Sequence, residues 1–130
     1  MWVIRPEQLA VLDAVAREQF VRELLDHVRE HFAARTAVMT DGELIDRIRT
    51  TIDRAAEHGL TERNPVRRFV ALSIVFGAGF DEEAEWAARL LADSKAMDQR
   101  VRAELLHELG LRRLRDGRPR GGRGVTEEEP

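Results

Sequence analysis

The segment His27-Val28-Arg29-Glu30-His31 is the clearest candidate for chemistry in this sequence. It matches the H-x-x-E-H pattern of inverted zinc peptidases, in which two histidines one helical turn apart bind the metal and the glutamate acts as base. A metal-dependent hydrolase built on His27, Glu30 and His31 is therefore one hypothesis. Short patterns also arise by chance. We favour two partly buried imidazoles beside an apolar helix stripe, and we expect no metal and no other cofactor.

The other titratable residues form no recognisable catalytic set. His58 precedes Gly59 and is predicted to lie at a helix C-terminus, where the helix dipole favours an imidazolium. His107 has Glu104 and Glu108 near it in sequence. The many other carboxylates are typical of the charged outer faces of amphipathic helices. The sequence therefore predicts no catalytic residue and a protein that is not an enzyme.

Four residues are candidates for binding a partner protein. Arg63, Arg67 and Arg68 are the densest basic group in the part of the chain predicted to fold. A solvated helix end is the simpler interpretation; the sharper hypothesis is that these three contact an acidic partner surface, because exposed arginines often anchor interfaces. Trp2 lies outside the helical stripes, and it can either fold back on the core or anchor another chain.

The composition changes from Arg115 onward. Residues 115–124 are rich in Arg and Gly, and residues 125–130 are acidic. With almost nothing to bury, residues 115–130 are predicted to be disordered, which assigns residues 1–114 to a single helical domain. Flexible arginines can stack on bases and pair with phosphates. A small nucleic-acid-associated regulator that uses this tail is therefore the alternative function, although the nearby glutamates cancel much of the tail's positive charge.

The overall composition limits the class of protein. A chain of 130 residues, 43% hydrophobic and 35% charged, is enough for one domain of amphipathic helices with its own core. Its net charge of -3 argues against a surface devoted to nucleic acid. The lack of cysteine indicates a reducing compartment. The first residues do not form a secretory signal, and the longest apolar run is too short to span a membrane. We therefore expect a cytoplasmic protein with no membrane partner.

An all-α fold of about five helices must position these residues. The most apolar stretch, residues 69–76, follows Asn64-Pro65 and is closed by Gly77-Ala78-Gly79. We predict that this stretch belongs to a central helix, from about Pro65 to Phe76, which amphipathic neighbours cover.

Capping signals and helical periodicity predict those neighbours. A first helix is expected over residues 6–34, and residues 40–43 have the sequence of a capping box that starts a second helix, which Gly59 ends. Asp81 is predicted to cap the fourth helix and Ser94 the fifth. The residues predicted to face inward from the fifth helix are Met97, Val101, Leu105, Leu106 and Leu109.

Three stretches also resemble a known group of proteins: residues 56–61 (AEHGLT), residues 66–72 (VRRFVAL), and residues 76–81 (FGAGFD) with Trp86-Ala87 after them. They resemble small helical bacterial proteins found in gene neighbourhoods of type VI secretion and polymorphic-toxin effectors. The resemblance implies an accessory role, as an adaptor, a chaperone or an immunity-like partner of an effector. It implies no catalytic residue. The expected function is a non-enzymatic helical module that binds another protein, with partner identity and oligomeric state left open.

Overall fold

A computed structural model describes residues 14–117 of the chain. The helices in that range are α1 (Ala14–His31), α2 (Ala33–Thr36), α3 (Asp41–Glu57), α4 (Arg63–Phe76), α5 (Phe80–Glu83), α6 (Glu85–Asp93) and α7 (Gln99–Gly117). The predicted all-α class is confirmed, and α2 and α5 are single turns added to the five longer helices. None of these helices is both long and apolar enough to cross a membrane. Trp2 and residues 118–130 lie outside the described residues.

Helix α4 occupies the centre of the fold, as its apolar sequence predicts. It packs against α1, α2, α3, α5 and α7. Val66, Phe69 and Val70 on α4 are almost completely buried, and the Phe69 ring lies 5.0 Å from the Phe80 ring, measured between centroids. Because α4 is apolar on more than one face, it needs neighbours on several sides to remove those faces from water.

Helix α3 begins and ends at the predicted signals. The Thr40 hydroxyl accepts a hydrogen bond from the Glu43 backbone N–H at 3.1 Å, and the Glu43 carboxylate accepts one from the Thr40 N–H at 2.9 Å. These two bonds complete a capping box. After the helix, Gly59 has a φ of +83°, in the left-handed region that favours glycine.

The predicted end of the first helix, near Ala34, is wrong. Helix α1 stops at His31, and Phe32 leaves helical geometry before the single turn α2. The Arg29 guanidinium donates hydrogen bonds to the backbone carbonyls of Thr36 and Met39, which fastens the following turn back onto α1. A contact between a side chain and a distant carbonyl of this kind has no signature in helical periodicity.

The central helix also starts earlier than predicted. Helix α4 begins at Arg63 with Glu62 as its N-cap, so Pro65 lies within the first turn, where its missing N–H is not needed. The Gln99 side chain, at the start of α7, accepts hydrogen bonds from the backbone N–H groups of Thr61 and Glu62 at 2.7 and 2.9 Å. The N-terminus of α4 is therefore held from another helix.

Both later capping predictions are wrong. Asp81 lies within α5 and is buried, because its carboxylate forms an ion pair instead of a cap. Ser94 is the C-cap of α6, where its hydroxyl donates to the Leu90 carbonyl at 2.7 Å. Near the start of α7, the Asp98 carboxylate accepts a hydrogen bond from the Arg100 N–H at 2.9 Å.

The inward face predicted for the fifth helix is right for Leu106 and Leu109 and wrong for the other three residues, of which Met97 precedes α7. Leu106 is buried and Leu109 is partly buried, whereas Met97, Val101 and Leu105 are between 39% and 47% exposed. The inward face includes Arg102, Ala103 and Gly110. Small residues let the helix approach α4 closely: a Cβ added at Gly110 would lie 2.7 Å from Leu72 Cδ2 and 3.3 Å from Phe76 Cε2.

Replacing Gly110 tests this close approach. The change Gly110→Leu gains about 0.8 kcal/mol in helix propensity, so any loss of stability must come from packing. We expect the free energy of unfolding to fall by about 1–3 kcal/mol because the new side chain overlaps Leu72. Denaturation in urea, monitored by circular dichroism, measures the change. Glu108→Leu places the same residue on the exposed side of α7 and is the matched control. Equal midpoints for the two variants would contradict the packing described here.

Candidate partner-binding surface

The three predicted arginines lie together at one groove between the start of α4 and the start of α7. The groove has a volume of about 550 Å³. It is lined by Glu62, Arg63, Asn64, Pro65, Arg67, Arg68, Arg100, Ala103 and Glu104. Four arginines against two glutamates leave an excess of positive charge. We call this surface the arginine groove.

Hydrogen bonds between its walls fix the shape of the groove. Gln99 joins α7 to the N-terminus of α4 through the two backbone bonds described above. One residue further along, Arg100 donates from Nε to Glu62 Oε1 at 2.7 Å and from Nη2 to Glu62 Oε2 at 3.3 Å. This paired geometry orients both side chains. The two walls therefore meet in a defined position before any partner binds.

The Arg63 side chain contacts other residues of the fold. Its guanidinium forms an ion pair with the Glu23 carboxylate on α1. It also lies over the Phe20 ring, with 4.6 Å between the guanidinium carbon and the ring centroid, which is a cation–π contact. Of the three arginines predicted to bind a partner, Arg63 therefore serves mainly to join α1 to α4.

Arg67 and Arg68 leave positive charge in the groove. Arg67 Nη1 donates to the neutral side-chain oxygen of Asn64 at 2.7 Å. Arg68 is half-buried and forms no hydrogen bond or ion pair with a residue in the 14–117 range. Neither guanidinium faces a carboxylate as close as the one that pairs with Arg100. These two residues are the best placed to bind an anionic group.

The two histidines of the H-x-x-E-H pattern lie on α1, and neither is among the residues that line the arginine groove. The rings of His27 and His31 contact each other, with 4.5 Å between centroids. Burial lowers the pKa of His27, and the nearby charges of His31 and Arg67 lower it further, whereas Glu30 raises it. Over residues 14–117, no group of three or more histidine or carboxylate side chains is arranged to hold a metal ion. Helix α1 thus brings His27 and His31 together, but no third ligand from the described residues joins them.

Asp81, which the sequence predicted only as a helix cap, is a buried acidic residue away from the groove. The Asp81 side chain is only 2% exposed. It accepts hydrogen bonds from Arg54 Nη2 at 2.8 and 3.0 Å, and its Oδ2 lies 2.8 Å from His58 Nε2. Burial alone would raise the pKa of Asp81, but the hydrogen bonds from His58 and Arg54 outweigh it and hold that pKa below its ordinary value. The cluster joins α3 to α5.

Arg102 is a second buried charge and also contacts His58. It is 6% exposed, and its guanidinium donates to the backbone carbonyls of His58 and Leu91 and to the Ser94 hydroxyl. Those carbonyls belong to the C-terminal ends of α3 and α6, where the helix dipoles favour a cation. Burial lowers the pKa of Arg102. The predicted structural role of His58 at a helix end agrees with both contacts, through its ring and its carbonyl.

Several residues important to these sites escaped the sequence analysis. Gln99 and Arg100 are 37 or 38 positions from their partners Thr61 and Glu62, and nothing in their local sequence indicates the pairing. The acidic residues after Phe80 correctly predicted the start of a helix. They did not indicate that the Asp81 side chain turns inward. Its inward position follows from Arg54 and His58 on and after α3, which lie close to it in space.

Comparison of the chain with protein-family models, with curated proteins and with solved structures finds no significant match. The resemblance to secretion-associated helical proteins therefore stays a prediction.

Neutralising Asp81 tests the buried ion pair through pH. Because the folded-state pKa of Asp81 is depressed, its carboxylate stabilises the fold above about pH 4, and this contribution is lost as pH falls through the folded-state pKa. We expect Asp81→Asn to lower the free energy of unfolding by about 2 kcal/mol at pH 7, within the range for hydrogen bonds to charged groups. The difference from the unmodified protein should shrink below pH 4. Urea denaturation at several pH values measures it, with the exposed Asp93→Asn as control. A difference independent of pH would refute the role of this carboxylate.

Replacing Arg102 tests the second cluster. Arg102→Met keeps a long apolar stem but leaves the carbonyls of His58 and Leu91 without the guanidinium donors. We expect a loss of about 2 kcal/mol in the free energy of unfolding, since buried acceptors without partners are costly. Arg112→Met, on the exposed face of the same helix, should change stability by less than about 0.5 kcal/mol. Thermal unfolding of both variants measures the effect, and similar values for the two would show that Arg102 is dispensable.

Proposed function

We propose that this protein is a non-enzymatic helical module that binds an acidic segment of another protein in the arginine groove. The proposal is carried by one observation: Arg67 and Arg68 lie on a groove whose walls are already held together, and neither guanidinium is matched by a close carboxylate among the described residues. Two positive charges that are not matched by carboxylates, on a groove whose walls are already fixed, are suited to recognising an anionic partner.

The chemistry of the groove favours a peptide over a nucleic acid. Glu62 and Glu104 lie on its lining, and they would repel a continuous phosphate backbone. A peptide can place separate carboxylates on Arg67 and Arg68 while keeping neutral residues next to the two glutamates. Pro65 and Ala103 form the floor of the groove and are themselves buried, so the charged side chains on its walls are what a partner meets.

A binding role also agrees with how the buried polar groups are used. Asp81 and Arg102 each direct their side chains to other parts of the fold, so both clusters are explained by stability. We extend the proposal to the partner on the basis of the sequence resemblance alone. It would be an effector or a component of a bacterial secretion system, with this protein acting as its adaptor, chaperone or immunity-like partner in the cytoplasm.

Binding of a charged probe tests the groove. The probe is a fluorescent peptide with a run of glutamates, and its glutamine counterpart reports binding that does not depend on charge. We expect the double variant Arg67→Glu, Arg68→Glu to raise the Kd by about tenfold or more, since both anion contacts become repulsive. Fluorescence anisotropy at two salt concentrations measures the Kd, and higher salt should weaken binding.

The matched control is Arg112→Glu with Arg115→Glu. It makes the same change in net charge on the exposed side of α7. An equal loss of binding in this control would show that only net charge matters, and the groove would not be the site. Coexpression with the products of neighbouring genes then identifies the partner, and a complex formed equally well by the Arg67/Arg68 double variant would also overturn the proposal.

A further inference from the structure

We infer that a second copy of this chain binds the outer face of α7, with the two α7 helices antiparallel across a two-fold axis. This inference goes beyond the proposed function, because it concerns association of the chain with itself and needs no acidic partner. The contact face has five exposed residues, which we call the α7 outer stripe. They are Val101, Leu105, Glu108, Arg112 and Arg115.

The spacing of the α7 outer stripe is that of a contact between two helices. Its residues recur at intervals of four, three, four and three positions, the spacing by which helices pair along a seam. Val101 and Leu105 are 42% and 39% exposed, and Leu111 beside the stripe is 40% exposed. The opposite side of α7, which includes Leu106, is buried. The stripe is therefore the side of α7 that is open to another molecule.

Charge along α7 is separated into an acidic middle and a basic end. Glu104 and Glu108 come first, and Arg112 and Arg115 follow. None of these four side chains forms a hydrogen bond or ion pair with a residue in the 14–117 range. Like charges four positions apart destabilise an isolated helix, and the helix dipole acts only within the first and last turns. Neither effect explains why Glu104 and Glu108 lie together, whereas a partner with the opposite order of charge does.

The same helix in the reverse direction has that order of charge. If the two-fold axis passes near Glu108, residues at equal distances before and after position 108 lie opposite each other. A two-fold axis makes each such contact twice. The opposed pairs are Glu104 with Arg112, Leu105 with Leu111, Arg100 with Asp116, and Val101 with the apolar stem of Arg115.

Two charged residues of α7 add nothing to this pairing. Arg113 lines a hollow with Trp86 and Asp93 on the side of α7 toward α6, so it lies away from the stripe. The two Glu108 carboxylates meet near the axis and repel each other. This repulsion lowers the affinity of one copy for the other.

The size of the contact also indicates a weak dimer. One helix packed on one helix buries less than the roughly 1,200 Å² of total surface at which stable interfaces begin. We therefore expect a Kd on the order of 100 µM. Well below that concentration the chain is monomeric, and substitutions on α7 then report on the monomer alone.

The first experiment reverses the charges of the stripe. Analytical ultracentrifugation of the unmodified protein should give a mass that rises with concentration toward twice 14.9 kDa. The basic variant Glu104→Arg, Glu108→Arg and the acidic variant Arg112→Glu, Arg115→Glu should each raise the Kd by about tenfold or more, because each stripe then repels its own copy. An equal mixture of the two variants should dimerise at least as tightly as the unmodified protein, because a basic stripe then meets an acidic one.

The matched control is Asp26→Arg with Glu57→Arg. It makes the same change in net charge as the basic variant at exposed positions on α1 and α3, and it should leave the Kd unchanged. If circular dichroism shows that a charge-reversed variant has lost helix, the neutral variant Glu104→Gln, Glu108→Gln takes its place and should weaken the dimer about threefold. An unmodified protein that stays monomeric, folded variants whose mixture does not recover the dimer, or an equal loss in the control would each overturn the inference.

The second experiment measures the direction of the two helices. The sequence has no cysteine, so Ala96→Cys, just before α7, carries one spin label per chain. Antiparallel helices centred on Glu108 place the two labels about 36 Å apart, at about 1.5 Å per residue. Parallel helices place them within about 20 Å. Pulsed electron paramagnetic resonance measures this distance, and the shorter value would refute the inference. Neither experiment uses a ligand of the arginine groove, so both outcomes are independent of the proposed function.

Discussion

The parallel packing of α7 against α4 is the contact on which the rest of this structure depends. The absence of a side chain at Gly110 lets α7 lie close to Leu72 and Phe76, and Gln99 and Arg100 fasten its start to the N-terminus of α4. The groove is the space that this packing leaves between the two helix starts. A shift of α7 would therefore change the core and the groove together.

Arginine performs different tasks in this fold, and the surroundings decide which. Arg29 and Arg102 donate to backbone carbonyls at the ends of other elements, and the fork of N–H donors in the guanidinium suits that purpose. Arg54 pairs with buried Asp81. Arg67 and Arg68 are left to give the groove its charge. Because several arginines bind groups inside the fold, the position of each arginine decides its role, and Arg67 and Arg68 can define a binding surface even though the chain has a net charge of -3.

His58 links the two buried charged clusters. Its ring contacts Asp81 and its carbonyl accepts from Arg102, so His58 connects the end of α3 to α5 and α7, and Arg102 extends the connection to α6 through the Leu91 carbonyl. Buried charges stabilise a fold only when their partners are in place. The arrangement therefore favours one specific packing of the helices at this end of the molecule, which in turn holds the neighbouring start of α7 in position for the groove.

The amino-acid sequence by itself determined the helical class, the central apolar helix, the capping box at Thr40 and the turn at Gly59, because these depend on residues close together in the chain. It also identified Arg67 and Arg68 as candidates for binding. Only the tertiary structure decided that Asp81 turns inward and that Arg102, rather than Val101, faces the core. It also decided that Arg100 joins the groove. Each of these outcomes depends on a partner that is distant in sequence. The spacing of apolar residues predicts which side of a helix is buried, but it does not identify such partners.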